Sequence, residues 1–279
     1  MMQIKEILIV FGKEAAMVKS YVVDAFASEI FKGNPAAVLF VDHFPSDEMM
    51  QNIAMENKLS ETAFAVKKDN NHYDLRWFSP AGEIDLCGHA TLATGFLVFQ
   101  KAAPKDGQSV AFNTMSGDLT VTKKGDLYEM DFPTYDLKAI PVTEAMTEAY
   151  GARPDAAYLG RDLVCVFPQG TAIAAIDPDM EKLKKLDGMA QHATAIVDDE
   201  YDCVSRSFAP KLGINEDPVC GSGHCHIAPY WSERLGKHQL TAYQASPRSG
   251  VLHCDYEGKR TKLSGEAVLY SENEVNLAI

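Results

Sequence analysis

The sequence predicts an α/β protein of the mixed α+β kind, built from two pseudo-symmetric halves. The stretch Asp85-Leu86-Cys87-Gly88-His89-Ala90-Thr91 recurs in altered form as Asp217-Pro218-Val219-Cys220-Gly221-Ser222-Gly223-His224-Cys225. Upstream, Arg76-Trp77-Phe78-Ser79-Pro80 matches Arg206-Ser207-Phe208-Ala209-Pro210 at an offset of 130 residues, the distance from 76 to 206. At the same offset Thr62-Ala63-Phe64-Ala65-Val66 falls on His192-Ala193-Thr194-Ala195-Ile196, and both segments are strand-like. The shared order of strand, Arg-x-Phe-x-Pro strand and Cys-Gly helix makes internal duplication the better explanation than chance.

In chain order, residues 1–17 form an N-terminal extension with no assigned role, and their apolar run at 7–11 is too short to span a membrane. Residues 21–26 alternate as a strand, and Gly33-Asn34-Pro35 turns the chain into a second one at 36–41. Ser46 followed by Asp47 and Glu48 opens a helix whose apolar face is Met49, Met50, Ile53 and Ala54, ending near Asn57. Strands follow at 62–66 and 73–78, then the first Cys-Gly helix, with Leu92, Phe96, Leu97 and Phe99 at helical spacing. Lys124-Gly125-Asp126 joins strands 120–123 and 127–131 as a hairpin.

The first half is expected to run over 18–131 and the second over 132–279, the last strand being free to return to the first half. In the second half, 163–167, 172–176 and 192–197 read as strands and 179–186 as a short helix. The second Cys-Gly helix carries Ile227, Tyr230, Trp231 and Leu235, and strands at 264–270 and 275–279 close the chain.

A length of 279 residues suffices for two cores of ordinary size, and 46% hydrophobic with 23% charged residues is a soluble globular composition. The net charge of −13 argues against nucleic acid or an anionic membrane as partner, without excluding a small anionic substrate met by local donors. Six cysteines with no compact disulfide framework, and no secretory leader, predict the reducing cytoplasm.

The chemistry concentrates in the two Cys-Gly stretches and in Glu61. A glycine at a helix start lets the backbone approach a ligand, and the first free N–H groups with the helix dipole favour an anion. Gly88 with His89 and Gly221 with Ser222 are therefore candidate binders of a single carboxylate held between two helices. Glu61 opens an otherwise apolar strand, where a carboxyl group is partly desolvated, as suits a proton-transfer group. The repeat places Gln191 opposite Glu61, so the acid occurs once on a scaffold that occurs twice.

Three chemistries compete. Glu61 can move a proton at a carbon next to an anionic group, with helix N–H groups and nearby His or Ser stabilising the charge, and no cofactor is then required. Cys87 and Cys220 can act as opposed acid and base across a stereocentre, their thiolates favoured by the helix starts. Cys220, His224, Cys225 and His226 are dense in metal-ligand types, but the spacing is no known zinc pattern and Cys225 and His226 diverge on a helix, so no metal is expected. A binding protein that keeps the anion seats without turnover is the non-enzymatic alternative; an acid beside an anion gains such a protein nothing.

Asp24-Ala25-Phe26, Gly33-Asn34-Pro35-Ala36-Ala37-Val38, Leu59-Ser60-Glu61-Thr62-Ala63-Phe64, Arg76 to Pro80, Leu86 to Thr91 and Glu216 to Cys225 together resemble the phenazine-biosynthesis F-type (PhzF-like) isomerase family. That family is related in architecture to diaminopimelate epimerase and proline racemase. The resemblance implies two similar domains, each a barrel-like, mostly antiparallel sheet around a central helix, with the active site in the cleft between them. It also implies a homodimer. By matching motif, Glu61 would be the acid/base, with His89, Asp217 and Ser222 as supporting polar residues, and the helix starts at Gly88 and Gly221-Ser222 would hold the substrate's carboxylate. Cysteine at both 87 and 220 is similar to the epimerases and racemases, which keeps the two-thiol alternative open.

Overall fold

The computed structural model describes residues 15–69, 71–102, 108–197 and 200–278. The first half contains β1 (Ala15–Ala25), β2 (Asn34–Val41), α1 (Asp47–Asn57), β3 (Glu61–Lys67), β4 (His72–Ser79), β5 (Gly82–Ile84), α2 (Gly88–Ala102), β6 (Ser109–Thr114), β7 (Gly117–Lys124) and β8 (Leu127–Pro133). The second contains β9 (Lys138–Ile140), α3 (Glu144–Tyr150), β10 (Ala156–Leu159), β11 (Leu163–Val166), α4 (Met180–Leu183), β12 (Gln191–Ile196), β13 (Cys203–Ala209), β14 (Ile214–Asp217), α5 (Gly221–Leu235), β15 (Gln239–Gln244), β16 (Gly250–Tyr256), β17 (Arg260–Gly265) and β18 (Ala267–Ala278).

The two halves repeat one pairing scheme. β1 to β4 pair in sequence, with β2–β3 parallel; β5 adds to β4; and β6 returns parallel to β4 before β7 and β8 follow antiparallel. β10 to β17 reproduce each of these steps, including the parallel pairs β11–β12 and β13–β15. β8 pairs with β17 and joins the halves. The last strand of each scheme then crosses over: β9 pairs with β10, and β18 pairs with β1 along its whole length.

Each sheet curls around its helix. The α2 helix is packed against β1, β2, β3, β6, β7 and β8, and α5 against β15, β16 and β17. The α2 helix is apolar nearly all round, whereas α5 is buried over most of its length but carries His224, His226 and Ser232 inside. One continuous core runs from Leu92, Phe96 and Leu97 of α2 to Ile227 and Trp231 of α5. The helix starts of α2 and α5 thereby meet near the seam between the halves.

Local sequence accounts for the flanking elements. Ser46 caps α1 by accepting from Met49 N–H at 3.2 Å, and Lys58 in the left-handed region ends it. Gly33 has φ +65° and a backbone approach to Ala25 that leaves no room for a Cβ, which fixes the turn presenting Asn34.

Several expectations need correction. Residues 15–17, set apart with the extension, open β1 and pair with 276–278; residues 1–14, with the apolar run 7–11, lie outside the described residues. Residues 172–176 are not a strand but a 3-10 turn at Ile173–Ala175. The Arg206 guanidinium gathers the carbonyls of Ile173, Ala174 and Ile176 and so draws the chain into a turn. The closing strands divide differently: the chain bends after Gly265, where a Cβ would meet the Phe26 ring at 2.4 Å, and β18 then runs unbroken to Ala278. No helix among the described residues is long and apolar enough to cross a membrane.

Candidate functional site

Glu61 starts β3 and His89 stands in the first turn of α2, so the parallel β2–β3 pair and the helix start set their separation. His89 Nε2 lies 3.0 Å from Glu61 Oε2, with side-chain exposures of 8% and 12%. The contact is an ion pair without hydrogen-bond alignment, so both atoms lack a hydrogen-bond partner among the described residues. On its other face His89 Nδ1 is 3.6 Å from Cys87 Sγ and 3.2 Å from Asn34 Nδ2. Asn34 reaches across the seam, donating to Asp217 Oδ1 at 2.8 Å and to the Val219 carbonyl at 3.1 Å. Asp217 Oδ1 also accepts from Val219 N–H at 3.1 Å, which shapes the loop into Cys220.

The second helix start is built by Cys220, Gly221, Ser222 and Gly223. Cys220 is the cap of α5, its Sγ accepting from Gly223 N–H at 3.4 Å and lying 3.5 Å from Ser222 Oγ. Gln244 ties this loop down by accepting from Cys220 N–H at 2.9 Å and donating to the Asp217 carbonyl at 2.6 Å. Gly223 packs so closely on the His192 ring that a Cβ would come within 2.6 Å of it. Glu61, Cys87, His89, Asp217, Cys220 and Ser222 thus belong to one linked set of contacts, with Gly88 and Gly221 at its two helix starts.

Electrostatics distinguishes the members. Burial opposes a charged His89, but the neighbouring Cys87 and Glu61 outweigh it and raise the imidazole well above its ordinary value. Burial, with repulsion from Glu61 and against the attraction of His89, raises Asp217. Burial also raises both cysteines, Cys220 well above the usual range, and this overrides the thiolate-favouring helix starts expected from the sequence. A raised pKa lowers the thiolate fraction at neutral pH. Iodoacetamide at pH 7.5 is therefore expected to alkylate Cys87 and Cys220 at least about 100-fold more slowly in the native protein than in urea, by mass spectrometry. Rapid native labelling would restore the two-thiol alternative.

The pseudo-symmetry is closer than the sequence suggested, and shifted. Arg76 makes a bidentate pair with Glu83 at 2.6 and 2.7 Å, and Arg206 repeats it with Glu216 at 2.7 and 2.8 Å. The turn Pro210–Leu212 lengthens the second connection, so the offset rises to 133 residues by Cys87 and Cys220. Trp77 pairs with Ile84 and Ser207 with Asp217, so Asp217 is the counterpart of Ile84 rather than of Asp85. Ser222 is the counterpart of His89. Gln191 takes the place of Glu61 but turns away, donating to the carbonyls of Asp187 and Gly188 at 3.3 and 3.2 Å.

Beside α5 the structure assembles a buried cluster that sequence reasoning missed. Asp162, His192 and His226 bring three possible ligand atoms within 4.8 Å of one another, as do Glu61, Cys87 and His89. Asp162 sits in a turn with no motif of its own, and only the fold unites it with the two histidines. Hydrogen bonds already engage the nitrogens of the first cluster: His226 Nδ1 donates to the Ser222 carbonyl at 3.0 Å, its Nε2 accepts from Asp162 N–H at 3.3 Å, and His192 Nδ1 meets Ser207 Oγ at 3.0 Å. His224 faces away, toward Ser205 Oγ and the Cys220 carbonyl, so the ligand types clustered along this stretch do not converge.

Burial lowers both His224 and His226 to about 4. Unfolded histidine takes up its proton near pH 6.5, so the unfolded chain binds protons first as the pH falls. The stabilisation is complete above pH 6.5 and is lost as the pH falls to about 4, by up to about 1.4 kcal/mol per pH unit for each group. Urea midpoints measured from pH 7 to 4 are expected to drop accordingly; a flat profile would mean that both imidazoles charge without unfolding.

Comparison with known proteins gives this geometry its family. The family model described as phenazine biosynthesis-like protein (PhzC-PhzF) matches residues 23–273. The chain is 44% identical over 256 residues to an uncharacterised isomerase of Pseudomonas aeruginosa, covering 91% of this chain and 97% of that protein. A crystal structure of a PhzF-family phenazine biosynthesis protein from Enterococcus faecalis is 48% identical with a TM-score of 0.90, covering 94% of this chain and 100% of that one. A hydroxyproline epimerase from Agrobacterium vitis, solved with trans-4-hydroxy-L-proline, shares the fold at 9% identity, with a TM-score of 0.62 and coverage of 96% and 94%. One mostly antiparallel sheet, curled in two repeated halves around α2 and α5, is thus the diaminopimelate-epimerase-like fold, and the chain belongs to the PhzF family of isomerases.

Proposed function

We propose that this isomerase moves a proton along a small carboxylate-bearing molecule held between its halves, with Glu61 as general acid/base. The observation that carries this is the buried Glu61–His89 ion pair, 3.0 Å apart without hydrogen-bond alignment, beside an Asn34 whose Oδ1 has no hydrogen-bond partner among the described residues. Buried polar atoms ordinarily find partners, and a cluster that does not is arranged for something else to bind. A substrate C–H adjacent to an acidic or conjugated group gives its proton to the Glu61 carboxylate, and the electron pair spreads into that group. His89, whose protonated form the neighbouring Glu61 favours, and the amides opening α2 and α5 oppose the developing negative charge. The Glu61 O–H then returns the proton to another carbon, which leaves the oxidation level unchanged and requires no cofactor.

Asp217 and Ser222 are assigned supporting roles: Asp217 orients Asn34 and the Cys220 loop, and Ser222 offers a hydroxyl where the first half offers His89. The two-thiol alternative is less well supported, because burial holds Cys87 and Cys220 in the protonated form. Incubating amino, hydroxy and unsaturated carboxylic acids with the protein in deuterated water, with NMR detection of deuterium at carbon, tests the proposal. Exchange abolished by Glu61→Gln is the expected result; no exchange across a broad panel would favour the anion-binding alternative.

A further inference from the structure

The repeated strand registers place one more residue against this site. Ala36 lies opposite Glu61 across β2–β3, and Leu163 lies opposite Gln191 across β11–β12. Since Glu61 and Gln191 are counterparts, Arg161 stands in the second half where Asn34 stands in the first. The contacts agree with that placement. Arg161 Nη1 donates to Tyr135 Oη at 3.1 Å, and Tyr135 stacks on His226 at 4.3 Å between ring centres. His226 in turn donates to the Ser222 carbonyl, so Arg161 is linked to the first turn of α5.

Its charge is available. The side chain is 38% exposed, and Nη2 has no partner among the described residues. Asp162 Oδ1 approaches its Nε only to 3.7 Å and also accepts from Ala190 N–H, while Oδ2 faces His192 at 3.3 Å. Burial opposes the guanidinium charge, but Tyr135, Asp162 and Cys220 outweigh it and raise its pKa. At the α2 end the Glu61 carboxylate is already paired with His89 at 3.0 Å, while at the α5 end Asp162 meets the Arg161 guanidinium only at Nε, 3.7 Å away. A substrate carboxylate therefore finds a part-exposed guanidinium edge at the α5 end that Asp162 does not take up.

We propose that Arg161 is a specificity-determining residue, whose guanidinium takes the substrate's carboxylate at the α5 end of the cleft and so points the reacting carbon at Glu61. This rests on the proton-transfer function proposed above. A planar guanidinium matches a carboxylate with two parallel hydrogen bonds, which an ammonium cannot reproduce. Together with the α5 amides it fixes one orientation of the substrate, with the carboxylate far from the base.

Calorimetric titration of the full chain with benzoate and with benzamide tests this. The wild type is expected to prefer benzoate, Arg161→Gln to lose about tenfold or more in benzoate affinity while binding benzamide unchanged, and Arg161→Lys to fall between. Benzoate binding by Arg161→Gln at the wild-type level would overturn the role of Arg161 alone. A wild type that binds no benzoate would overturn the carboxylate seat of the proposed function together with this inference. Circular dichroism of both variants separates lost affinity from lost fold.

Discussion

Glu61→Gln is expected to lower deuterium incorporation into any substrate found by about 10²–10⁴-fold, with binding of that substrate changed by no more than a few fold. The amide keeps the shape and packing of the carboxylate at the start of β3 but can neither accept nor return a proton at neutral pH. Its partner His89 loses a neighbouring charge, so its pKa falls from its raised position, and an imidazole NMR titration should report that downward move independently of turnover. Cys87→Ala is the matched control. If the thiol variant loses activity while Glu61→Gln retains it, the acid is not the base and proton transfer belongs to the sulfur.

The second large effect concerns stability. Arg206→Ala is expected to cost about 3–5 kcal/mol in urea unfolding, because it leaves Glu216 as a nearly buried, unpaired carboxylate and releases the carbonyls of Ile173, Ala174 and Ile176. Arg76→Ala removes the matching pair in the first half, where both side chains are 24% exposed and water can solvate Glu83, so its cost is expected near 1–2 kcal/mol. The paired measurement uses the duplication as its own control. Equal losses at the two positions would mean that burial does not set the difference.

Much of this was legible in the sequence, for physical reasons that the particular residues show. The two Cys-Gly steps at 87–88 and 220–221, each followed by apolar residues at helical spacing, marked both central helices and, through their spacing, the duplication. Glu61 stood out because its counterpart Gln191 broke the symmetry. The turn at Ile173–Ala175 was illegible because a distant guanidinium, not local propensity, decides it. Asp162 carries no local signal, since the register of β11 against β12 brings it beside His192. The protonation of the cysteines was misjudged for a related reason: the helix start favours thiolate, but the depth of burial that outweighs it is a property of the whole assembly.

The crossing of β9 and β18 carries a final consequence. Counted as units β1–β9 and β10–β18, each lends its last strand to the other, β9 pairing with β10 and β18 with β1, so neither unit is topologically whole when severed from the other. An isolated half would carry an unsatisfied margin along its first long strand, the kind of border that recruits a neighbour's backbone. An ancestral single unit with this layout would have found its completing strand on a second molecule, and fusion of the two genes would have converted that reciprocal lending into one continuous polypeptide.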